Sequence, residues 1–129
     1  MNKVTLAVDV NKSVSELFAF AINPANTPKW IDSIMIEETN EWPIKLGTIY
    51  RNRGESGEWS EYTVTALKEN ELFELTEKDG NYRVRYVFTS LSSTSSQLEY
   101  SELVENGEIE KPFTQEILNK LKFKMEESL

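Results

Sequence analysis

The final stretch, Pro112 to Leu129, sets the tightest condition on how this chain folds. Phe113, Ile117, Leu118, Leu121, Met125 and Leu129 recur mostly at steps of three and four, so they share one stripe of a helix. Pro112 suits the first turn of that helix, where its missing N–H costs nothing. Glu116, Glu126 and Glu127 lie off the stripe, and Lys120 and Lys122 flank it. Lys124 falls inside the stripe, where its stem can still snorkel to water. Phe123 lies on the opposite side, either exposed or set against a partner. One long amphipathic helix after a run of strands must bury its stripe against their sheet. An ordinary packing helix meets that condition, and so does a helix that also closes a cavity.

Upstream, the periodicity changes to two. Val4, Leu6, Val8 and Val10 alternate with polar or small residues as a first strand with one buried face. Ser13-Val14-Ser15-Glu16 fits a capping box, opening a short helix whose apolar face is Val14, Leu17, Phe18, Ala21 and Ile22. Asn23-Pro24 ends it, because a residue before proline avoids the helical region. Ala25 to Trp30 suits a second helical turn with Pro28 near its start.

From Ser33 onward strands follow one another. Ile34, Ile36 and Glu38 alternate with Met35 and Glu37, a modest signal, and Thr39 to Lys45 reads as a loop. Leu46 to Arg51 resumes the sheet, and Gly54 to Gly57 makes a turn. Trp59 to Leu67 sets Tyr62, Val64 and Ala66 on one side. Lys68 to Glu71 turns into Leu72 to Glu77, and Asp79-Gly80 marks a hairpin. Tyr82, Val84, Tyr86 and Phe88 then face one way and Arg83, Arg85, Val87 and Thr89 the other, the clearest strand in the chain. Ser90 to Ser96 reads as a polar loop, and Leu98, Tyr100 and Glu102 share a face of the last strand. Short polar turns between consecutive strands imply an antiparallel meander, and segregated helices an α+β domain spanning residues 1–129.

Composition excludes several chemistries. The 129 residues contain no Cys and no His, which removes thiolates, disulfides, the commonest general base and the commonest transition-metal ligand. Acid–base work would fall to carboxylates, Tyr, Lys, Arg or hydroxyls. No metal-ligand cluster, phosphate-cradling glycine loop or nucleophile elbow is visible. No metal and no cofactor are therefore expected. A net charge of −8 repels nucleic acid and anionic membrane, and Lys120, Lys122 and Lys124 are too sparse to reverse that. The first residues lack a signal-peptide core and a membrane span. A soluble cytoplasmic protein, monomeric or weakly dimeric and without membrane insertion, is the expectation.

The inward positions form the candidate site. They are Tyr62, Val64, Phe73, Leu75, Tyr82, Val84, Tyr86, Phe88, Leu98 and Tyr100 from the sheet. Phe113, Ile117, Leu121 and Met125 come from the final helix, and Phe18 and Trp30 from the short ones. Taken singly, each fits a solid core. The tyrosines as a set point toward a polar-lined space, because buried hydroxyls need partners. Glu102 shares the phase of Leu98 and Tyr100. Facing inward it would serve as an acid or base; the plainer expectation is a strand end already in solvent. Tyr86 is the other weak catalytic candidate. Arg51 and Arg53 can orient an acidic ligand, whereas Arg83 and Arg85 suit a solvated or salt-bridged outer face. Asp9 and Glu16 cannot be paired from sequence alone.

Three stretches together resemble the helix-grip superfamily called SRPBCC, START-like or Bet v 1-like. Val8 to Phe20 followed by Asn23 to Trp30 is similar to its strand, capped helix and Trp-ended second helix. Leu46-Gly47-Thr48-Ile49-Tyr50-Arg51 is similar to its hydrophobic-Gly-Thr step at a strand start. The meander and terminal helix complete the match, although the serine-rich loop at 90–96 has no glycine where the superfamily often carries one. The resemblance implies a curved sheet of six to seven strands around the long helix, with a cavity for a hydrophobic or aromatic ligand between them. It also implies two alternatives. One is a polyketide cyclase/dehydratase-like enzyme working through Tyr and carboxylate groups. The other is an interaction protein like the superfamily's chaperone activators, anchored by an exposed Trp42 or Trp59.

Overall fold

A computed structural model describes residues 1–127. The order is β1 (Asn2–Val10), α1 (Val14–Ile22), α2 (Thr27–Trp30), β2 (Ile36–Thr39), β3 (Ile49–Arg53), β4 (Trp59–Lys68), β5 (Leu72–Glu77), β6 (Tyr82–Ser92), β7 (Ser95–Val104) and α3 (Gln115–Glu127). The seven strands form one curved antiparallel sheet in the order β1-β7-β6-β5-β4-β3-β2. Six of them are the expected meander, and β1 closes the far side by pairing with β7. This is the helix-grip α+β architecture. Among the described residues, no helix is long and apolar enough to cross a membrane.

Local chemistry accounts for most boundaries. Ser13 caps α1: its Oγ accepts from the Glu16 N–H at 3.2 Å, and Glu16 Oε1 accepts from the Ser13 N–H at 3.3 Å. At the other end Asn23 leaves the helical region, as the following proline demands. Asn70 takes the left-handed conformation in the β4–β5 turn, a role asparagine tolerates.

The structure departs from the sequence reading at several places. The final helix starts at Gln115, three residues after Pro112. Phe113 is held elsewhere: its N–H donates to Glu102 Oε1 and its ring stacks on Tyr100 at 4.2 Å. Residues 90–96 are mostly strand, since β6 runs to Ser92 and β7 starts at Ser95, leaving a two-residue turn at Ser93-Thr94. Serine hydroxyls stabilise that turn without glycine, Ser92 and Ser95 lying 2.7 Å apart through their Oγ atoms. A bulge in β4 shifts the register between Val64 and Ala66. Leu67 rather than Ala66 consequently pairs with Phe73 on the inner face. In β2 the alternation leaves Ile36 exposed and turns Glu37 inward opposite Asn52.

The core lies on the concave side. Val8, Val10, Leu17, Phe18, Trp30, Phe88, Leu98, Leu118, Leu121 and Met125 are all buried there. Helix α3 packs chiefly on β1 and α2, and α1 on β6 and β7. Two hydrogen bonds tie the helix to the first strand: Gln115 Nε2 to the Ala7 carbonyl at 2.9 Å and Lys122 Nζ to the Asp9 carbonyl at 2.9 Å. Phe123 is exposed on its outer side, and Lys124 reaches Glu127 at 3.5 Å. Leu129, the last position of the expected stripe, lies outside the described residues.

Candidate functional site

Beside this core the concave face holds a cavity of about 440 Å³. Alternation along the strands builds most of its wall. Tyr50 and Asn52 come from β3, Tyr62 from β4, Phe73 and Leu75 from β5, Tyr82, Val84 and Tyr86 from β6, and Tyr100 and Glu102 from β7. Glu37 contributes from β2, and Ala21, Thr27, Ile31, Ile34 and Phe113 cover it. The β3–β4 turn, with Arg53, Glu55 and Glu58, and Lys111 make the rim. Among the described residues none of α3 lines it.

An aromatic chain runs through the wall. Ring centroids are 5.5 Å apart for Tyr50–Phe73, 5.3 Å for Phe73–Tyr86 and 5.1 Å for Tyr86–Tyr100. Phe113 lies between Tyr100, stacked at 4.2 Å, and Trp30, edge-on at 6.0 Å. Each contact fixes a ring by offset or edge-to-face geometry.

Polar groups enter at two places. Glu37 accepts from Thr27 Oγ1 at 2.6 Å and from Asn52 Nδ2 at 3.1 Å. Burial raises its pKa above the ordinary glutamate value, against the effect of those two bonds. Beside it the Tyr50 hydroxyl donates to the Ile22 carbonyl at 2.6 Å, so the end of α1 is fixed above the cavity. At the second place Glu102 accepts from the Tyr82 hydroxyl and the Phe113 N–H, joining the sheet to the segment that leads into α3.

Every tyrosine in the wall is harder to ionise than in water. Burial pushes Tyr62 up to about 12, with the charge of Glu77 adding to it. Burial likewise raises Tyr50, Tyr82, Tyr86 and Tyr100. All are neutral hydrogen-bonding groups at physiological pH. Among the described residues the Tyr86 hydroxyl has no hydrogen-bond partner, although the side chain is only 6% exposed and lines the cavity.

The expected site residues divide into two groups. Tyr62, Phe73, Leu75, Tyr82, Val84, Tyr86, Tyr100, Glu102 and Phe113 come together around the cavity. Phe18, Trp30, Val64, Phe88, Leu98, Leu121 and Met125 are buried in the adjoining core, with Ile117 packed against them. Glu102 is 2% exposed, which overturns its placement in solvent: pairing of β7 with both β1 and β6 carries the strand past it to Val104. Arg83 and Arg85 lie on the outer face, paired with Glu105 and Glu74. Asp9 accepts from Gln97 Nε2 at 3.0 Å on the outside, well separated in role from the capping Glu16. Trp42 and Trp59 are exposed, the latter under the guanidinium groups of Arg51 and Arg53 at 4.4 and 5.5 Å.

Thr27, Glu37, Tyr50 and Asn52 were absent from the sequence-derived site. The alternation of Glu37 with Ile36 did not say which of the two faces inward: Ile34 lines the cavity, whereas Ile36 is exposed. Tyr50 and Asn52 share a strand phase, which the register then sets opposite Tyr62 and Ser60.

Neither a family model nor a curated protein matches the sequence. Solved structures do match the fold. A START superfamily protein from Mycobacterium smegmatis superposes with TM-score 0.75 at 14% identity, covering 97% of each chain. Norcoclaurine synthase from Thalictrum flavum, in complex with dopamine and hydroxybenzaldehyde, gives 0.70 at 12% identity over 99% of this chain and 88% of that one. The di-domain ARO/CYC protein BexL gives 0.63 at 12% identity over 81% of this chain and 36% of that one. The resemblance drawn from the sequence thus holds at the level of the helix-grip, START-like fold.

Proposed function

We propose that this protein binds a hydrophobic or aromatic small molecule on the concave face of its sheet. The observation that carries the reading is the aromatic cavity of about 440 Å³, a size within the ~300–1,000 Å³ common for ligand sites. Its wall joins apolar and ring surfaces to a few oriented polar groups, Glu37, Asn52, Glu102 and the tyrosine hydroxyls. Rings there exclude water, and the polar groups fix orientation. The fold likeness to a synthase solved with dopamine and hydroxybenzaldehyde supports the same reading.

Nile red, an uncharged dye that fluoresces in apolar surroundings, tests it. The native protein should bind the dye, and Val84→Trp, which fills the cavity from the sheet floor, should weaken binding at least tenfold while the protein remains folded by circular dichroism. Equal binding by the two proteins would place the dye elsewhere and defeat the reading.

Acid–base catalysis is a second reading, favoured by the buried Tyr82–Glu102 hydrogen bond within the cavity. A carboxylate holding a tyrosine proton can take a proton from substrate and return it. Its test is turnover of a bound ligand, which Glu102→Gln should abolish while leaving Nile red affinity within about threefold, a change under 1 kcal/mol. Unchanged turnover would remove Glu102 from any mechanism.

A further inference from the structure

Glu74 and Glu102 are buried on the sheet and Glu37 is half-buried, and the three are treated differently. Glu74, on the outer face, has a cation: Arg85 Nε donates to its Oε2 at 2.7 Å. Glu37 and Glu102, on the inner face, have none. Among the described residues no Lys or Arg nitrogen comes within 4.0 Å of either carboxylate, and their four hydrogen bonds all come from uncharged donors: Thr27, Asn52, Tyr82 and the Phe113 N–H. Buried charges are ordinarily paired, because a neutral donor returns only part of the lost hydration.

Both carboxylates open on the same cavity and neither is ion-paired there; its two cations, Arg53 and Lys111, stand at the rim with Glu55 and Glu58, so acidic groups outnumber basic ones in the lining. A metal ion does not suit them: among the described residues no three acidic side chains gather closely enough to ligate one. The rest of the wall suits an organic cation. Tyrosine and phenylalanine faces attract positive charge through their quadrupoles. The Tyr86 side chain, 6% exposed, lines the same cavity, and its hydroxyl, without a hydrogen-bond partner among the described residues, adds an acceptor. Glu37 keeps unused lone pairs after its two hydrogen bonds, and unlike Glu102 it anchors no backbone group.

We propose that the cavity selects a small organic cation, an amine on an aromatic or short aliphatic body, with its charged head on Glu37 and its body among the tyrosine and phenylalanine rings. This rests on the cavity-binding reading above and narrows its ligand class. An anionic ligand is disfavoured by both carboxylates, and a neutral one leaves them uncompensated.

Matched probes decide it. 2-Phenylethylamine and 2-phenylethanol have nearly the same shape and differ in charge at neutral pH. By calorimetry the native protein should bind the amine at least tenfold more tightly than the alcohol. In Glu37→Gln that ratio should fall to about one, chiefly through loss of amine affinity. Equal affinities in the native protein would overturn the inference without any variant, and so would a ratio that Glu37→Gln leaves intact. Nile red bound without either probe also overturns the cation inference, while the cavity reading stands. If Nile red fails to bind as well, both fall.

Discussion

Tyr50→Phe removes a single atom from the cavity wall, where β3 meets the end of α1. The Tyr50 ring is 1% exposed and packs on Phe73 at 5.5 Å, so the variant keeps its shape and most of its contacts. What disappears is the hydroxyl that donates to the Ile22 carbonyl at 2.6 Å, the link between β3 and the last residue of α1. Ile22 is half-buried, so its carbonyl recovers only part of that bond from water. Leaving a buried acceptor unsatisfied costs about 1–3 kcal/mol, and partial access to water argues for about 1.5 kcal/mol. Unfolding entropy near the midpoint is about 2.1 cal/mol/K per residue, or about 0.27 kcal/mol/K for this chain. The two figures give a Tm lowered by about 5–6 °C, measured by calorimetry or circular dichroism at neutral pH. Tyr62→Phe is the control. Its ring also lines the cavity but is only half-buried, and it should shift Tm by less than about 2 °C. A Tyr50→Phe protein melting within 1 °C of the native one would show that the Ile22 carbonyl does not depend on Tyr50, and that this junction is held by packing alone.

Two further measurements test the core and the site separately. Leu121 is fully buried on the inner face of α3, so Leu121→Ala should cost about 2–5 kcal/mol in urea unfolding, and a loss below 1 kcal/mol would mean that α3 is not docked as described. Glu37 gives a pH signature, because burial raises its folded pKa above the unfolded value. Between those two values the folded state keeps a proton that the unfolded chain releases; the stability tied to Glu37 is therefore full below about pH 4.3, the ordinary glutamate value, and is lost as pH rises through the folded pKa. Glu37→Gln cannot ionise, so its Tm relative to the native protein should climb from acid to neutral pH, and a flat difference would contradict burial of the charge.

Sequence patterns were most legible where the determining contacts are local. Ser13 and Glu16 complete their capping box within one turn, and the alternation of Tyr82, Val84, Tyr86 and Phe88 specifies a face whatever the neighbours are. Pattern failed where a distant partner decides. Pro112 offered a sound helix start, yet Glu102, on another strand, holds the Phe113 N–H and delays the helix. At the bulge Thr65 Oγ1 donates to Glu74 Oε1 on the neighbouring strand at 2.7 Å, a cross-strand contact that no single-strand periodicity contains. Glu37 was missed for a related reason. On a short edge strand the burial of isoleucine yields to register, and exposed Glu38 pairs with Arg51 at 3.2 Å on the outer side.

The position of the cavity follows from the same register and from the size of the helices. Seven strands about 4.8 Å apart make a sheet roughly 29 Å wide, whereas a helix with its side chains is about 10 Å across. Helix α3, of 13 residues and so about 20 Å long, packs on β1 and α2, and α1 covers β6 and β7. The short α2 reaches toward β2 at the opposite edge. Among the described residues no helix packs closely over β3, β4 and β5, so their inner face must be filled by side chains or left as space. The large residues there, Tyr50, Tyr62 and Phe73, bridge part of the gap, and the cavity is what they leave. The terminal helix thus closes the core at one side of the sheet, and the ligand-sized space opens beside it. A ligand would meet Phe113, in the segment leading into α3, which Glu102 keeps out of the helix. Core and cavity are therefore separable: truncating Leu121 should change stability, whereas filling the space at Val84 should change binding.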